Sequence, residues 1–169
     1  RYGNVVGSRG SVIPYFNKLI KNKSNFLPIT HPQMTRFWIT IKEGVELVEK
    51  SFFEMLGGEI FVPIIPSIKI TDLAKAMAPT LKQKIIGIRP GEKIDELMIS
   101  KDDAPNVLKF KKYYLITPNT VFSRNINMFR KSKSKEIGKK VNLNFEYNSG
   151  TNSKFLKVNE IRKFNLDEI

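Results

Sequence analysis

The sequence predicts a mixed α/β fold on three observations. Apolar runs of strand length recur between Arg1 and Ile116, stretches with apolar residues at helical spacing lie between them, and Gly, Ser, Thr, Asn and Pro punctuate the passages from one to the next. With 41% hydrophobic residues the chain can bury a core.

Residues 1–6, Arg-Tyr-Gly-Asn-Val-Val, read as a strand entering the loop Gly7-Ser8-Arg9-Gly10. Ser11 is placed to cap a helix to about Lys21, with Pro14 in its first turn and Ile13, Phe16, Leu19 and Ile20 on one face. Two extended pieces follow, around Leu27-Pro28-Ile29 and Arg36-Phe37-Trp38-Ile39. Thr40 and Glu43 then have capping-box spacing for a long helix whose Ile41, Val45, Val48, Phe52 and Leu56 repeat at helical intervals until Gly57-Gly58. Its aromatic residues, like Phe37 and Trp38, are expected in the core. Further strands are expected over residues 59–65, 69–71, 84–88 and 110–116, with a short helix over 72–78, capped by Thr71 and ended by Pro79. A lysine- and asparagine-rich tail closes the chain.

The composition narrows the function classes. There is no cysteine and only one histidine, His31, so no thiolate or histidine-cluster metal site is expected. No apolar run has membrane-spanning length, and the N-terminus lacks a signal pattern, so a chain in the reducing cytoplasm with no membrane partner is expected. The net charge of +13 raises the question of nucleic acid. The excess is spread, however: residues 1–90 carry 13 basic and 6 acidic side chains, and residues 91–169 carry 16 and 10. The dense run Arg130, Lys131, Lys133, Lys135, Lys139 and Lys140 has no interleaved aromatics for base stacking, so no nucleic-acid partner is expected.

Four features can carry binding chemistry. Arg36, at a strand, offers a guanidinium able to fork onto phosphate oxygens, although taken alone such a residue more often makes an ordinary surface salt bridge. Arg89 and Glu92 flank a Pro-Gly turn that can aim a cation and a carboxylate at one ligand, or join them as an internal ion pair. The Asn4 amide can serve a ligand or the adjacent loop. Gly7 to Ser11 is a glycine-bracketed loop before a helix, able to present N–H groups to an anion, although it lacks the Gly-Lys-Ser/Thr ending of a P-loop.

The order of these segments is informative. Arg1-Tyr2-Gly3-Asn4-Val5, Gly7-Ser8-Arg9-Gly10-Ser11-Val12-Ile13-Pro14, Met34-Thr35-Arg36-Phe37-Trp38-Ile39-Thr40 and Arg89-Pro90-Gly91-Glu92-Lys93 stand in that sequence. With Gly58 to Pro63, Ile70 to Ala74 and Phe145 to Asn152, they resemble the extended short-chain dehydrogenase/reductases of polysaccharide biosynthesis. Within these the chain is similar to the configuration-inverting UDP-N-acetylglucosamine 4,6-dehydratases that start pseudaminic acid synthesis.

The resemblance implies the C-terminal part of such an enzyme. Residues 1–25 would end the NADP-binding Rossmann domain, residues 26–123 would form the smaller α/β nucleotide-sugar domain, and residues 124–169 a basic extension. Tyr2 and Gly3 would lie near the nicotinamide of NADP and Asn4 against the UDP-sugar. Ser11, Val12 and the Leu27-Pro28-Ile29 backbone would seat the substrate, the last near uracil. Arg36 and Arg89 would clamp the diphosphate and Glu92 would hold the ribose. The family reaction oxidises C4 of the sugar, eliminates water across C5 and C6, returns the hydride to C6 and inverts C5. The full-length protein would be a homo-oligomer acting on UDP-N-acetylglucosamine.

The departures are also informative. The family's dinucleotide loop, its Thr-Asp-Lys group and its Tyr-x-x-x-Lys pair would precede Arg1, so no catalytic residue is expected here. Such a piece would leave an apolar face uncovered and be poorly folded or inactive alone. His31 replaces the family's aspartate and reads as a solvent-facing turn residue. A UDP-sugar epimerase or a non-inverting dehydratase is the near alternative, and a basic polyanion-binding module the distant one.

Overall fold

The computed structural model describes residues 1–118 and 126–166. In chain order the elements are β1 (Asn4–Val5), α1 (Val12–Lys21), β2 (Phe26–Ile29), β3 (Thr35–Ile39), α2 (Ile41–Glu54), β4 (Ile60–Pro63), β5 (Ser67–Lys69), α3 (Ile70–Met77), β6 (Lys82–Ile85), β7 (Leu97–Ile99), β8 (Val107–Lys109), β9 (Tyr113–Ile116), β10 (Lys139–Lys140), β11 (Tyr147–Asn148) and α4 (Val158–Leu166). They divide into two compact units, and the fold is mixed α/β as the sequence predicts. The expected domain boundary at residues 123 and 124 lies outside the described residues.

The first unit gathers residues 3–41, 65–96 and the described part of 148–169. Its three-stranded sheet runs β1-β3-β5, with β1 parallel and β5 antiparallel to β3, and a two-stranded sheet pairs β2 with β6 in parallel. The apolar face foreseen for α1 is the buried one. Ile13 and Phe16 pack with Leu27 and Ile29 of β2, Trp38 of β3, Leu73 of α3 and Ile161 of α4, all at most 2% exposed. Burying aliphatic and aromatic side chains of this size contributes about 1.5–3 kcal/mol each, which fixes the strand ends carrying the polar groups below.

Three boundaries differ from the sequence reading here. The strand expected at residues 69–71 is β5, two residues earlier, because Ser67, Ile68 and Lys69 pair with Phe37, Arg36 and Thr35. Thr71 therefore lies inside α3, and Lys69 is the N-cap residue. The strand expected at residues 84–88 is β6, over 82–85. Ile86 donates to the Ile29 carbonyl at 2.9 Å, and Gly87, at φ +91°, then turns the chain out of extended backbone.

The second unit gathers residues 1–2, 42–64 and the described part of 97–147. An antiparallel sheet runs β10-β8-β9-β4 over a core of Phe61, Leu108, Phe110, Tyr113, Leu115 and Phe129. The single strand expected over residues 110–116 is a hairpin instead. Val107 pairs with Ile116, and the chain reverses through Lys111-Lys112, a turn without glycine, asparagine or proline to announce it. The lysine-rich segment is anchored by buried Glu54, whose carboxylate accepts from the Lys133 and Ser134 N–H groups and from the Ser134 hydroxyl. Burial raises the Glu54 pKa, but the hydrogen bonds from Ser134 and Lys133 outweigh it and hold the carboxyl below its ordinary range.

Helix α2 corrects one expectation and bears out another. Phe52 and Phe53, expected in the core, are 74% and 64% exposed, and the stripe Ile41, Val45, Val48 and Leu56 lies open beside them. The helical spacing was legible, but the described residues leave its apolar face uncovered. Among the described residues no helix is long and apolar enough to cross a membrane.

Candidate functional site

The parallel pairing of β1 with β3 sets Asn4 opposite Trp38, and Val6 extends the match by donating to the Ile39 carbonyl at 3.0 Å. Beyond β1 the chain passes through Gly7 and Gly10, at φ +70° and +74°, into α1. These pieces, with β2, β3 and the 86–92 segment, enclose a cavity of about 570 Å³. That is within the range of small-molecule sites.

Seven of the sequence-predicted residues line this cavity: Asn4, Ser11, Val12, Pro28, Arg36, Arg89 and Glu92. Leu27 and Ile29 do not. Their side chains are fully buried in the core, and the Ile29 carbonyl is taken by Ile86, so β2 presents Pro28 to the cavity between two core residues. Tyr2 and Gly3 are also not among the lining residues. Tyr2 is exposed, while a Cβ on Gly3 would lie 2.5 Å from Phe37 Cβ, so the absence of a side chain there serves packing. His31 forms the expected turn: its Nδ1 accepts from Gln33 N–H at 3.2 Å and its carbonyl from Met34 N–H.

The floor of the cavity is suited to an anion. Ser11 occupies the N-cap of α1 with extended backbone, yet its hydroxyl makes no cap bond, contrary to the sequence reading. One of the two N–H groups that an N-cap side chain can bond is absent, because the third helical position is Pro14. The Ser11 Oγ is buried without a partner among the described residues, and the N–H groups opening a helix are unpaired within it. The positive end of the α1 dipole thus sits beside an orphan hydroxyl, with Lys18, Arg36 and Arg89 as lining cations against Glu92 as the lining acid.

The cations are not equivalent. Arg36 donates from Nη1 to the Thr35 carbonyl at 2.6 Å and the Ile94 carbonyl at 2.9 Å, and from Nη2 to the Lys93 carbonyl at 2.8 Å. Its Nε stands 3.4 Å from the Glu96 carboxylate. A guanidinium has five N–H groups, so among the described residues one Nη2 hydrogen has no acceptor. Arg89 is exposed, and among the described residues no ion pair joins it to Glu92. Glu92 instead closes its own turn, with Oε2 3.3 Å from the Arg89 N–H.

Sequence reasoning missed the apolar and aromatic part of the wall. Tyr15, Met34, Ile70, Ile86 and above all Trp38 line the cavity. Trp38 is 2% exposed and its Nε1–H has no partner among the described residues, a costly state for a buried donor. No periodicity signals such a residue, since a core tryptophan and a wall tryptophan occupy the same strand position.

Comparison with known proteins identifies the family. The chain is 52% identical, over 95% of its length and 48% of the relative's, to a Campylobacter jejuni protein named UDP-N-acetylglucosamine 4,6-dehydratase (inverting). It is 38% identical, over 100% of its length and 49% of the relative's, to a Rickettsia felis protein named UDP-glucose 4-epimerase. The chain spans about half the length of the curated relatives it matches. The X-ray structure of Pen from Bacillus thuringiensis superposes with a TM-score of 0.79 at 28% identity, covering 99% of this chain and 48% of that one. Residues 1–118 match the family described as polysaccharide biosynthesis protein, and the chain belongs to that family.

Proposed function

We propose that the cavity grips a UDP-N-acetylhexosamine and that the chain supplies the substrate-binding part of a configuration-inverting UDP-N-acetylglucosamine 4,6-dehydratase. The observation that carries the reading is convergence. An unsatisfied helix N-terminus, Arg89, the remaining Nη2 hydrogen of Arg36 and the Glu92 carboxylate meet in one partly apolar cavity. A diphosphate needs the first three, and a ribose diol needs the carboxylate. The 52% identical relative bearing that name supports the choice of substrate.

In this reading Asn4 contacts the sugar, Ser11 and Val12 seat the diphosphate at the α1 N-terminus, and of the Leu27-Pro28-Ile29 stretch only Pro28 borders the uracil. Residues 1–25 close a coenzyme domain, residues 26–123 form the nucleotide-sugar domain and residues 124–169 extend it. A nicotinamide coenzyme, NADP in this proposal, supplies the hydride exchange. Tyr2 and Gly3 fit only the edge of its site, so no acid or base step is assigned to this chain. The proposed setting is a homo-oligomeric cytoplasmic enzyme giving UDP-2-acetamido-2,6-dideoxy-β-L-arabino-hex-4-ulose.

The test is NMR of the product formed by the full-length gene product from UDP-N-acetylglucosamine. A 6-deoxy-4-keto sugar inverted at C5 is expected. A product that keeps its 6-hydroxyl and differs only at C4 would establish the second reading, an epimerase, which the 38% identical Rickettsia relative favours.

A further inference from the structure

The late segment Tyr147 to Asn152 is far from the cavity in sequence and carries no role in the proposed function. Its hydrogen bonds reach Thr35, next to the lining residue Arg36, and Glu96, in the stretch that follows the lining residue Glu92. Ser149 is fully buried, and its Oγ lies 2.7 Å from Thr35 Oγ1 and 2.8 Å from the Glu96 N–H that it accepts. Thr35 Oγ1 in turn donates to Asp95 Oδ1 at 2.6 Å. These contacts determine the direction of the chain. Thr35 has one hydroxyl proton and gives it to the carboxylate, so Ser149 must supply the proton between the two hydroxyls while accepting from Glu96. The order is Glu96 N–H to Ser149, Ser149 to Thr35, and Thr35 to the Asp95 carboxylate.

This relay is bolted on both sides. Ser149 N–H donates to the Glu96 carbonyl at 2.8 Å, and Thr35 N–H to the Ile94 carbonyl at 2.9 Å. The next residue, Gly150, admits no side chain, because a Cβ would stand 2.6 Å from the Asp95 carboxylate. Farther on, Asn152 donates to the Ile65 carbonyl and Ser67 Oγ, both at 3.0 Å, fixing the segment to β5. Residues 93–96 are therefore gripped by Thr35 and Arg36 on one side and by Ser149 on the other.

We infer that Ser149, Thr35 and Asp95 form a latch, buried at its two hydroxyls, that positions the 89–96 segment, and with it Arg89, Glu92 and the remaining Nη2 hydrogen of Arg36, for the diphosphate-ribose part of the ligand. The inference rests on the proposed function for the identity of the ligand but not for the latch itself. Ser149, Thr35 and Asp95 are positioning residues. Chained hydroxyls ending on a carboxylate strengthen one another, so the loss of one link loosens the segment more than a single surface bond would.

The experiment uses the full-length gene product with Ser149→Ala, Thr35→Val, Thr35→Ser and Asp95→Asn. Thr35→Ser keeps the relay hydroxyl, so it should behave nearly as the parent, whereas Asp95→Asn replaces the charged acceptor by a neutral amide and should loosen the segment as Ser149→Ala does. The first readout needs no ligand: amide hydrogen exchange over residues 86–96 should quicken in Ser149→Ala and Thr35→Val while residues 60–63 stay unchanged. Unchanged exchange over 86–96 overturns the latch. The second readout is binding of UDP and of uridine. Ser149→Ala should weaken UDP by about fivefold or more, the scale of one lost buried hydrogen bond, and weaken uridine much less. Equal weakening of both ligands overturns the positioning role. If the parent protein binds neither UDP nor a UDP-sugar, the proposed function fails while the exchange result still decides the latch.

Discussion

The Arg36 guanidinium lies 2.9 Å from the Ile94 carbonyl, joining β3 to the segment that carries Arg89 and Glu92. A residue that resembles a phosphate clamp in sequence is therefore also a brace. The distinction yields a first prediction. Arg36→Lys keeps the charge but cannot reach the Thr35, Ile94 and Lys93 carbonyls together, since an ammonium is a point donor on a flexible stem. UDP affinity of the full-length protein should fall by about tenfold or more, the equivalent of about 1.4 kcal/mol, by titration calorimetry. An affinity equal to the parent's would show that charge alone matters at this position.

Arg89 should behave in the opposite way. It is exposed, so Arg89→Ala should change unfolding free energy by less than about 0.5 kcal/mol. UDP binding should nevertheless weaken and become less sensitive to added salt, because a cation proposed to face the diphosphate is lost. Calorimetry at two salt concentrations checks both expectations. A large stability loss with unchanged binding would contradict the assignment.

Gly3→Ala tests packing rather than binding. The new methyl would meet Phe37 Cβ at 2.5 Å and Ile65 Cδ1 at 3.0 Å. Overpacking of this kind costs about 1–3 kcal/mol, readable as a lower urea midpoint with an unchanged slope. An unaltered midpoint would mean that β1 shifts freely away from β3.

Glu54 predicts a pH dependence. Its folded-state pKa is lowered, so the stability it contributes is present above the ordinary carboxyl range and is lost as pH falls through the folded value. Below about pH 4.5, the ordinary value for this carboxyl, the parent should lose stability faster than Glu54→Gln, and the two denaturation curves should converge as the carboxyl protonates. Parallel losses across that range would exclude Glu54 as the source.

The uncovered face of α2 predicts self-association of residues 1–169 expressed alone. Val48, Phe52 and Phe53 are 59%, 74% and 64% exposed. Phe52→Lys with Val48→Glu should lower light scattering and dye binding without changing the circular dichroism spectrum. No change in scattering would indicate that this face is not the sticky one.

The sequence by itself determined the alternation of strands and helices, because side-chain periodicity and turn residues are local properties. Ile13 and Phe16 on one face of α1 and the halt of α3 before Pro79 are such cases. It also named Asn4, Ser11, Val12, Pro28, Arg36, Arg89 and Glu92, which line one cavity. The tertiary structure alone decided what those residues are free to do. Whether Arg36 meets a ligand or a carbonyl, and whether Ser11 caps its helix, depends on which donors and acceptors arrive within 3 Å, and spacing carries no such information. The same holds for Ser149 and Thr35, 114 residues apart in the chain and 2.7 Å apart in space, whose contact exists only because two separate strand ends bring it about.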